Sequence, residues 1–182
     1  MNFRETELAG AFVIELERIE DERGFFARTF CRREFHEHGL ATEIAQANTA
    51  FNKRQGTLRG MHYQASPYEE AKLVRCTRGA VYDVIVDLRP GSPSFQRWVS
   101  VELTADNDTM LYVPKGLAHG YQTLEDDTET SYLMSSFYEP GAGRGVRWDD
   151  PAFAIDWPDI DERTINERDR SWPDFTPASA GA

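Results

Sequence analysis

The sequence predicts an all-β fold, a sandwich or closed barrel of the jelly-roll kind. Three observations carry that expectation. The segments between chain breaks are short and rich in β-branched and aromatic residues. Glycine and proline fall in punctuating pairs, as in Arg78-Gly79, Pro90-Gly91-Ser92-Pro93, Pro140-Gly141 and Gly143 to Gly145, and never gather into one long linker. Only one stretch has a helical character, so helices contribute a few short turns at most.

In chain order, Phe12-Val13-Ile14 and Gly24-Phe25-Phe26 read as the first strands. Arg32 to Leu40 reads as the helix, with Phe35 turned inward and Gly39 as the stop signal. Lys72–Thr77 and Ala80–Leu88 flank Arg78-Gly79 and predict a hairpin. Trp98-Val99-Ser100-Val101-Glu102-Leu103 alternates with period two, which buries one face of a strand and wets the other. Asp106-Asn107-Asp108 supplies a turn before Met110–Val113, and Pro114 ends that strand. Thr130 to Tyr138 predicts a further strand.

At 182 residues, 40% of them hydrophobic, the chain suits one domain with a real core, residues 1–182, tapering into a flexible tail over 176–182. Thirty-one acidic against 20 basic side chains give a formal charge of −11, which argues against nucleic acid, whose phosphates need a basic surface. No apolar run approaches the roughly 20 residues that cross a bilayer, and the charged start, Met1-Asn2-Phe3-Arg4-Glu5, is unlike a signal peptide. Two cysteines, Cys31 and Cys76, do not make a disulfide framework, so a reducing cytoplasm is expected. A small-molecule partner is left.

Four histidines are candidates for chemistry. His36 and His38 lie among Arg32, Arg33, Glu34 and Glu37 and read as solvated surface. His62 and His119 sit among glycine and apolar residues, in Leu58-Arg59-Gly60-Met61-His62-Tyr63-Gln64 and Pro114 to Gly120. Each is by itself either a satisfied core histidine or a functional one. Their pairing near strand ends, with Arg23, Arg59, Lys72 and Arg75 in or beside the β segments, favours a pocket with a cationic lining. The competing reading pairs those cations with some of the many carboxylates.

Pro114-x-Gly116-x-x-His119 is similar to the second metal motif of cupin-type jelly rolls. The first such motif needs two histidines one residue apart, on one strand face. Here His62 is flanked at that spacing by Gly60 and Gln64, so no metal is expected. Neither a G-x-S-x-G elbow nor a nucleotide-binding glycine loop is present. Histidine, tyrosine and cationic groups suit proton abstraction beside a carbonyl, with His62 as base and Tyr132 or Tyr138 as acid.

Arg23-Gly24-Phe25-Phe26, the R-G-M-H-Y-Q block at 59–64 and Lys72-Leu73-Val74-Arg75 resemble the dTDP-4-dehydrorhamnose 3,5-epimerase family. So do residues 82–89, Pro114 to Gly120, Trp148-Asp149-Asp150-Pro151 and Ile155-Asp156-Trp157-Pro158, in family order from near residue 10 to about residue 174. The resemblance implies a cupin-like double-stranded β-helix barrel that needs no cofactor or metal, and a homodimer whose N-terminal strands, about 1–30, reach into the partner. It implies inversion of carbons 3 and 5 of a dTDP-4-dehydro-6-deoxyhexose. Carried over by position, His62 is the base, Asp169 its orienting carboxylate, Tyr132 the proton donor, and Lys72 the cation at the keto oxygen. Arg23, Arg59 and His119 fall to the diphosphate and sugar, Gln46 and Asn48 to the nucleotide, and Tyr138 and Phe26 to the base. Arg168 joins these substrate-binding residues. Arg28 and Gly143 stand where the family commonly has Glu, and Met61 where it commonly has Leu. Inversion at one carbon, another nucleotide-linked 4-keto sugar, or a non-catalytic sugar-nucleotide binder are the alternatives these departures leave.

Overall fold

The computed structural model describes residues 1–176; the part of the expected tail from 177 onward lies outside the described residues. Thirteen strands run β1 (Asn2–Glu5), β2 (Phe12–Glu15), β3 (Arg18–Asp21), β4 (Gly24–Ala27), β5 (Gln46–Asn52), β6 (Leu58–Gln64) and β7 (Lys72–Arg78). They continue with β8 (Ala80–Asp87), β9 (Trp98–Thr104), β10 (Thr109–Val113), β11 (Leu117–Thr123), β12 (Thr128–Met134) and β13 (Gly143–Gly145). Two short helices, α1 (Arg32–Glu37) and α2 (Glu167–Arg170), complete the list.

Two antiparallel sheets face each other, as in a cupin-like jelly roll. The first has the order β1-β2-β10-β7-β12-β5 and the second β13-β6-β11-β8-β9. Val13, Val74, Leu111 and Val113 of the first sheet meet Val81, Ile85, Leu103 and Leu117 of the second in the central core. Each sheet is also covered outside. The α1 segment lays Phe35 and Leu40 over Ile14, Leu73, Met110 and Tyr112, and the C-terminal stretch lays Phe153 and Trp157 over Val84, Val86 and Ala118. Burial on both faces explains why β8 reads as a nearly unbroken apolar run.

The hairpin expected at Arg78-Gly79 is absent. Strands β7 and β8 follow each other in sequence but belong to different sheets, and Gly79, at φ +71°, turns the chain from one sheet into the other. A Cβ at Gly79 would stand 2.4 Å from Thr128 Oγ1, so the corner needs glycine. The strand expected at 130–138 runs Thr128–Met134 and stops before Tyr138. Helix α1, the Gly39 stop at φ +70°, the Asn107 turn and the end of β10 before Pro114 match the sequence expectations. The hairpin of β3 and β4 stands apart from both sheets. Its Ile19, Phe25 and Phe26 are 68%, 54% and 64% exposed.

Candidate active site

Neither His62 nor His119 lies at a strand end: both are strand-interior residues, paired directly opposite each other on β6 and β11. Between that pair and the next, Arg59 with Tyr121, β6 spends three residues where β11 spends two. The extra residue is a β-bulge, and it breaks the strict alternation that would otherwise send Arg59 and His62 to opposite faces. Both therefore line the same cavity. Gly60 makes the bulge possible, since its φ is +122° and an added Cβ would fall 2.5 Å from the Gly120 backbone.

The cavity, about 300 Å³, lies between the two sheets. From the second sheet come Arg59, His62, Tyr63, His119, Tyr121 and Arg144; from the first come Ala50, Lys72, Tyr132 and Met134. Helix α2 brings Arg168 and Asp169, and the loop after β12 brings Tyr138.

His62 Nε2 donates to Asp169 Oδ1 at 2.7 Å. The carboxylate is fully buried, and its second oxygen accepts from the Gly60 N–H at 3.1 Å and Asn166 Nδ2 at 3.2 Å. Asn166 also caps α2 by accepting from the Asp169 N–H, which fixes the aspartate's place in the chain. Burial pushes the Asp169 pKa up, but the bond and charge of His62, the Gly60 N–H and Arg168 outweigh it and hold the group below its usual value. A fixed anion on Nε2 leaves Nδ1 as the nitrogen able to accept a proton. The His62 side chain is 41% exposed, so that proton can exchange with water.

Across the cavity, burial raises the Tyr132 pKa above the usual 10.0; Tyr121 adds to the effect and Arg59 opposes it. The phenol thus stays protonated throughout the neutral range. Lys72 Nζ is 3.0 Å from Glu70 Oε1 and donates to the His62 carbonyl at 3.3 Å. His119 Nε2 donates to the fully buried Asp83 at 2.5 Å. Arg59 is oriented by Asn52, whose Oδ1 accepts from Nε at 2.7 Å.

Of the residues singled out from sequence, His62, Tyr132, Asp169, Lys72, Arg59, His119, Tyr138 and Arg168 converge on this cavity. Gln46 and Asn48 do not line it. Gln46 Oε1 accepts from the Tyr138 N–H at 2.6 Å and so fixes the loop that carries Tyr138, while Asn48 contacts Met134. Arg23 and Phe26 lie on the projecting hairpin, Arg23 ion-paired to Asp21 and 84% exposed; this chain does not bring them to its own cavity. Arg28 sits beside Glu34 at 3.6 Å, and Met61 is fully buried in the outer core. At Gly143 the missing side chain leaves room beside the Arg168 guanidinium and the Tyr138 hydroxyl, 3.1 and 3.4 Å from where a Cβ would be.

Glu70, Tyr63, Tyr121 and Arg144 line the cavity without having been singled out. A signal existed for one of them, because Tyr121 stands two residues from His119 on β11, the spacing of one strand face. Gln64 bridges two loops, donating to the Tyr68 and Phe137 carbonyls and accepting from the Glu139 N–H. Among the described residues, no group of three or more His, Cys, Asp or Glu side chains could hold a metal ion.

Fold and cavity together define a cupin-like jelly-roll barrel whose cavity is lined by histidine, tyrosine, lysine, arginine and carboxylate side chains. The model of the family described as dTDP-4-dehydrorhamnose 3,5-epimerase matches residues 5–177. A relative named dTDP-4-dehydrorhamnose 3,5-epimerase, from Sinorhizobium fredii, is 40% identical over 173 residues, covering 95% of this chain and 89% of its own. Among solved structures, a dTDP-6-deoxy-D-glucose-3,5-epimerase from Legionella pneumophila in complex with dTDP-4-keto-L-rhamnose superposes with a TM-score of 0.87. It is 36% identical, with 92% of this chain and 89% of that one covered. A 3'-monoepimerase from Streptomyces bikiniensis in complex with dTDP-quinovose also gives 0.87 and 36%, covering 96% and 87%. The chain belongs to the dTDP-4-dehydrorhamnose 3,5-epimerase family.

Proposed function

We propose that the protein inverts carbons 3 and 5 of dTDP-4-dehydro-6-deoxy-D-glucose by proton transfer through an enolate. The observation that carries this reading is the placement of the His62–Asp169 pair on one sheet's side of the cavity and the Tyr132 phenol on the facing sheet. The C4 ketone acidifies the hydrogens on both neighbouring carbons. His62 Nδ1 takes one of them, the Lys72 ammonium steadies the enolate oxygen, and Tyr132 returns a proton to the opposite face. At each centre His62 gains one proton and Tyr132 gives one up, and exchange of both groups with water restores the pair, so the steps balance without a redox change. The cavity's arginines, Arg59, Arg144 and Arg168, together with His119, suit the diphosphate and sugar.

The β3–β4 hairpin supports a homodimer in which a second copy lends Arg23 and Phe26 to the site, since three large apolar side chains stand exposed on it. The free thiols of Cys31 and Cys76 fit a reducing cytoplasm. In the described residues no helix is long and apolar enough to cross a membrane.

Inversion at a single carbon is the second reading, favoured by the likeness to the monoepimerase. Incubation with the 4-keto sugar nucleotide in deuterated water, followed by NMR at each ring carbon, separates the two. Label and inversion at C3 and C5 support the first reading, label and inversion at one carbon the second, and no label at either refutes both.

A further inference from the structure

Glu70 is a buried acid in the cavity to which these steps give no task. Its side chain is 4% exposed. Oε1 holds the Lys72 ammonium at 3.0 Å, whereas Oε2, buried in the cavity wall, has no hydrogen-bond partner among the described residues. An ammonium has three N–H donors. One of those on Lys72 goes to Glu70 and one to the His62 carbonyl, which leaves the third for the cavity. A buried carboxylate oxygen left unpaired is costly, and one at a cavity wall is placed to take a donor from a bound molecule.

The donor can be named from the chemistry of the ring. If the third Lys72 N–H meets the C4 keto oxygen, the carboxylate holding that ammonium lies beside the atoms next to C4. Of the two neighbouring carbons, C5 bears a methyl group and C3 a hydroxyl, and only the hydroxyl can donate. We propose that Glu70 Oε2 accepts a hydrogen bond from the sugar's 3-hydroxyl, so that Glu70 both fixes Lys72 and selects 4-keto sugars with a free hydroxyl at C3. This rests on the epimerase reading, in which Lys72 faces the keto oxygen.

The test pairs two substrates with three proteins. dTDP-4-keto-6-deoxyglucose and its 3-deoxy counterpart both keep the acidic hydrogen at C5, so solvent deuterium entering C5 is measurable for each. In the wild type, losing the hydroxyl is expected to lower kcat/KM for C5 exchange by roughly 10- to 100-fold, the range for a hydrogen bond to a charged group. In Glu70→Ala the two sugars are expected to react at nearly equal rates. Glu70→Gln keeps the shape and a weaker neutral acceptor, so it falls between the two and serves as the folded control. Equal discrimination in all three proteins would overturn the assignment while leaving the epimerase reading intact. Should the wild type act at C3 alone, the same comparison is read from deuterium entering C3; no exchange at either C3 or C5 of dTDP-4-keto-6-deoxyglucose would overturn the epimerase reading and the assignment together.

Discussion

His62 and Asp169 are 107 residues apart in the chain, and their side chains meet at 2.7 Å. The contact joins an imidazole open to the cavity with a carboxylate sealed from water, so Nε2 is held as the N–H and Nδ1 is left basic. Asp169→Asn removes the anion but keeps the shape. Epimerisation is expected to slow by roughly 10²- to 10⁴-fold, with little change in substrate affinity, because the anion that supports the basicity of His62 and fixes its tautomer is lost. Steady-state kinetics would measure it; a rate within a factor of two of wild type would remove Asp169 from the site.

Tyr132→Phe separates two events that the wild type couples. His62 can still take a hydrogen and, after exchange with water, return deuterium to the same face. The variant is therefore expected to incorporate deuterium while leaving configuration unchanged, as NMR of the recovered sugar nucleotide would reveal. Inversion at the wild-type rate would exclude Tyr132 as the donor.

Asp87 makes stability depend on pH. Burial pushes its pKa up, but Arg89, the Ser92 and Ser94 hydroxyls and the Arg89 N–H together bring it down to about 2, from an ordinary value of 3.8. Because the folded-state pKa is depressed, this stabilisation is complete above the ordinary value and is lost as pH falls through it toward 2. Asp87→Asn is expected to cost about 2 kcal/mol at neutral pH and to flatten the acid side of the stability curve. Urea denaturation at several pH values measures both.

Gly60→Ala should damage the fold as well as the site. The new methyl would meet the Gly120 Cα at 2.5 Å in a backbone region that side chains rarely adopt. A loss of roughly 3 kcal/mol or more is expected, read as a fall in melting temperature. An unchanged melting temperature would contradict the close approach of β6 and β11.

Much of the barrel was legible because strands announce themselves locally. Alternation in Trp98–Leu103 and the stop at Pro114 are properties of neighbouring residues. The corner at Gly79 was not legible, since a two-residue turn within a sheet and a turn between sheets use the same glycine. His62 and His119 carried a signal in their glycine-rich surroundings, but their direct opposition depends on a bulge that only pairing creates. Asp169 reads as surface in Asn166-Glu167-Arg168-Asp169; its burial comes from the docking of α2 beside β6, and only the family resemblance had singled it out. Glu70 was hidden as well, since nothing local distinguishes it from the adjacent Glu69 in the stretch ahead of β7. Arg23 and Phe26 lie away from the cavity for a different reason: β3 and β4 pair with each other in a hairpin apart from both sheets.

The most direct test follows the fate of carbon-bound hydrogen in His62→Ala. With the imidazole gone but the arginines and Tyr132 in place, the variant is expected to bind the sugar nucleotide, incorporate no deuterium at C3 or C5, and return it with its configuration intact. Deuterium entering either carbon at the wild-type rate would mean that another group removes the proton, and the account given for this cavity would be wrong.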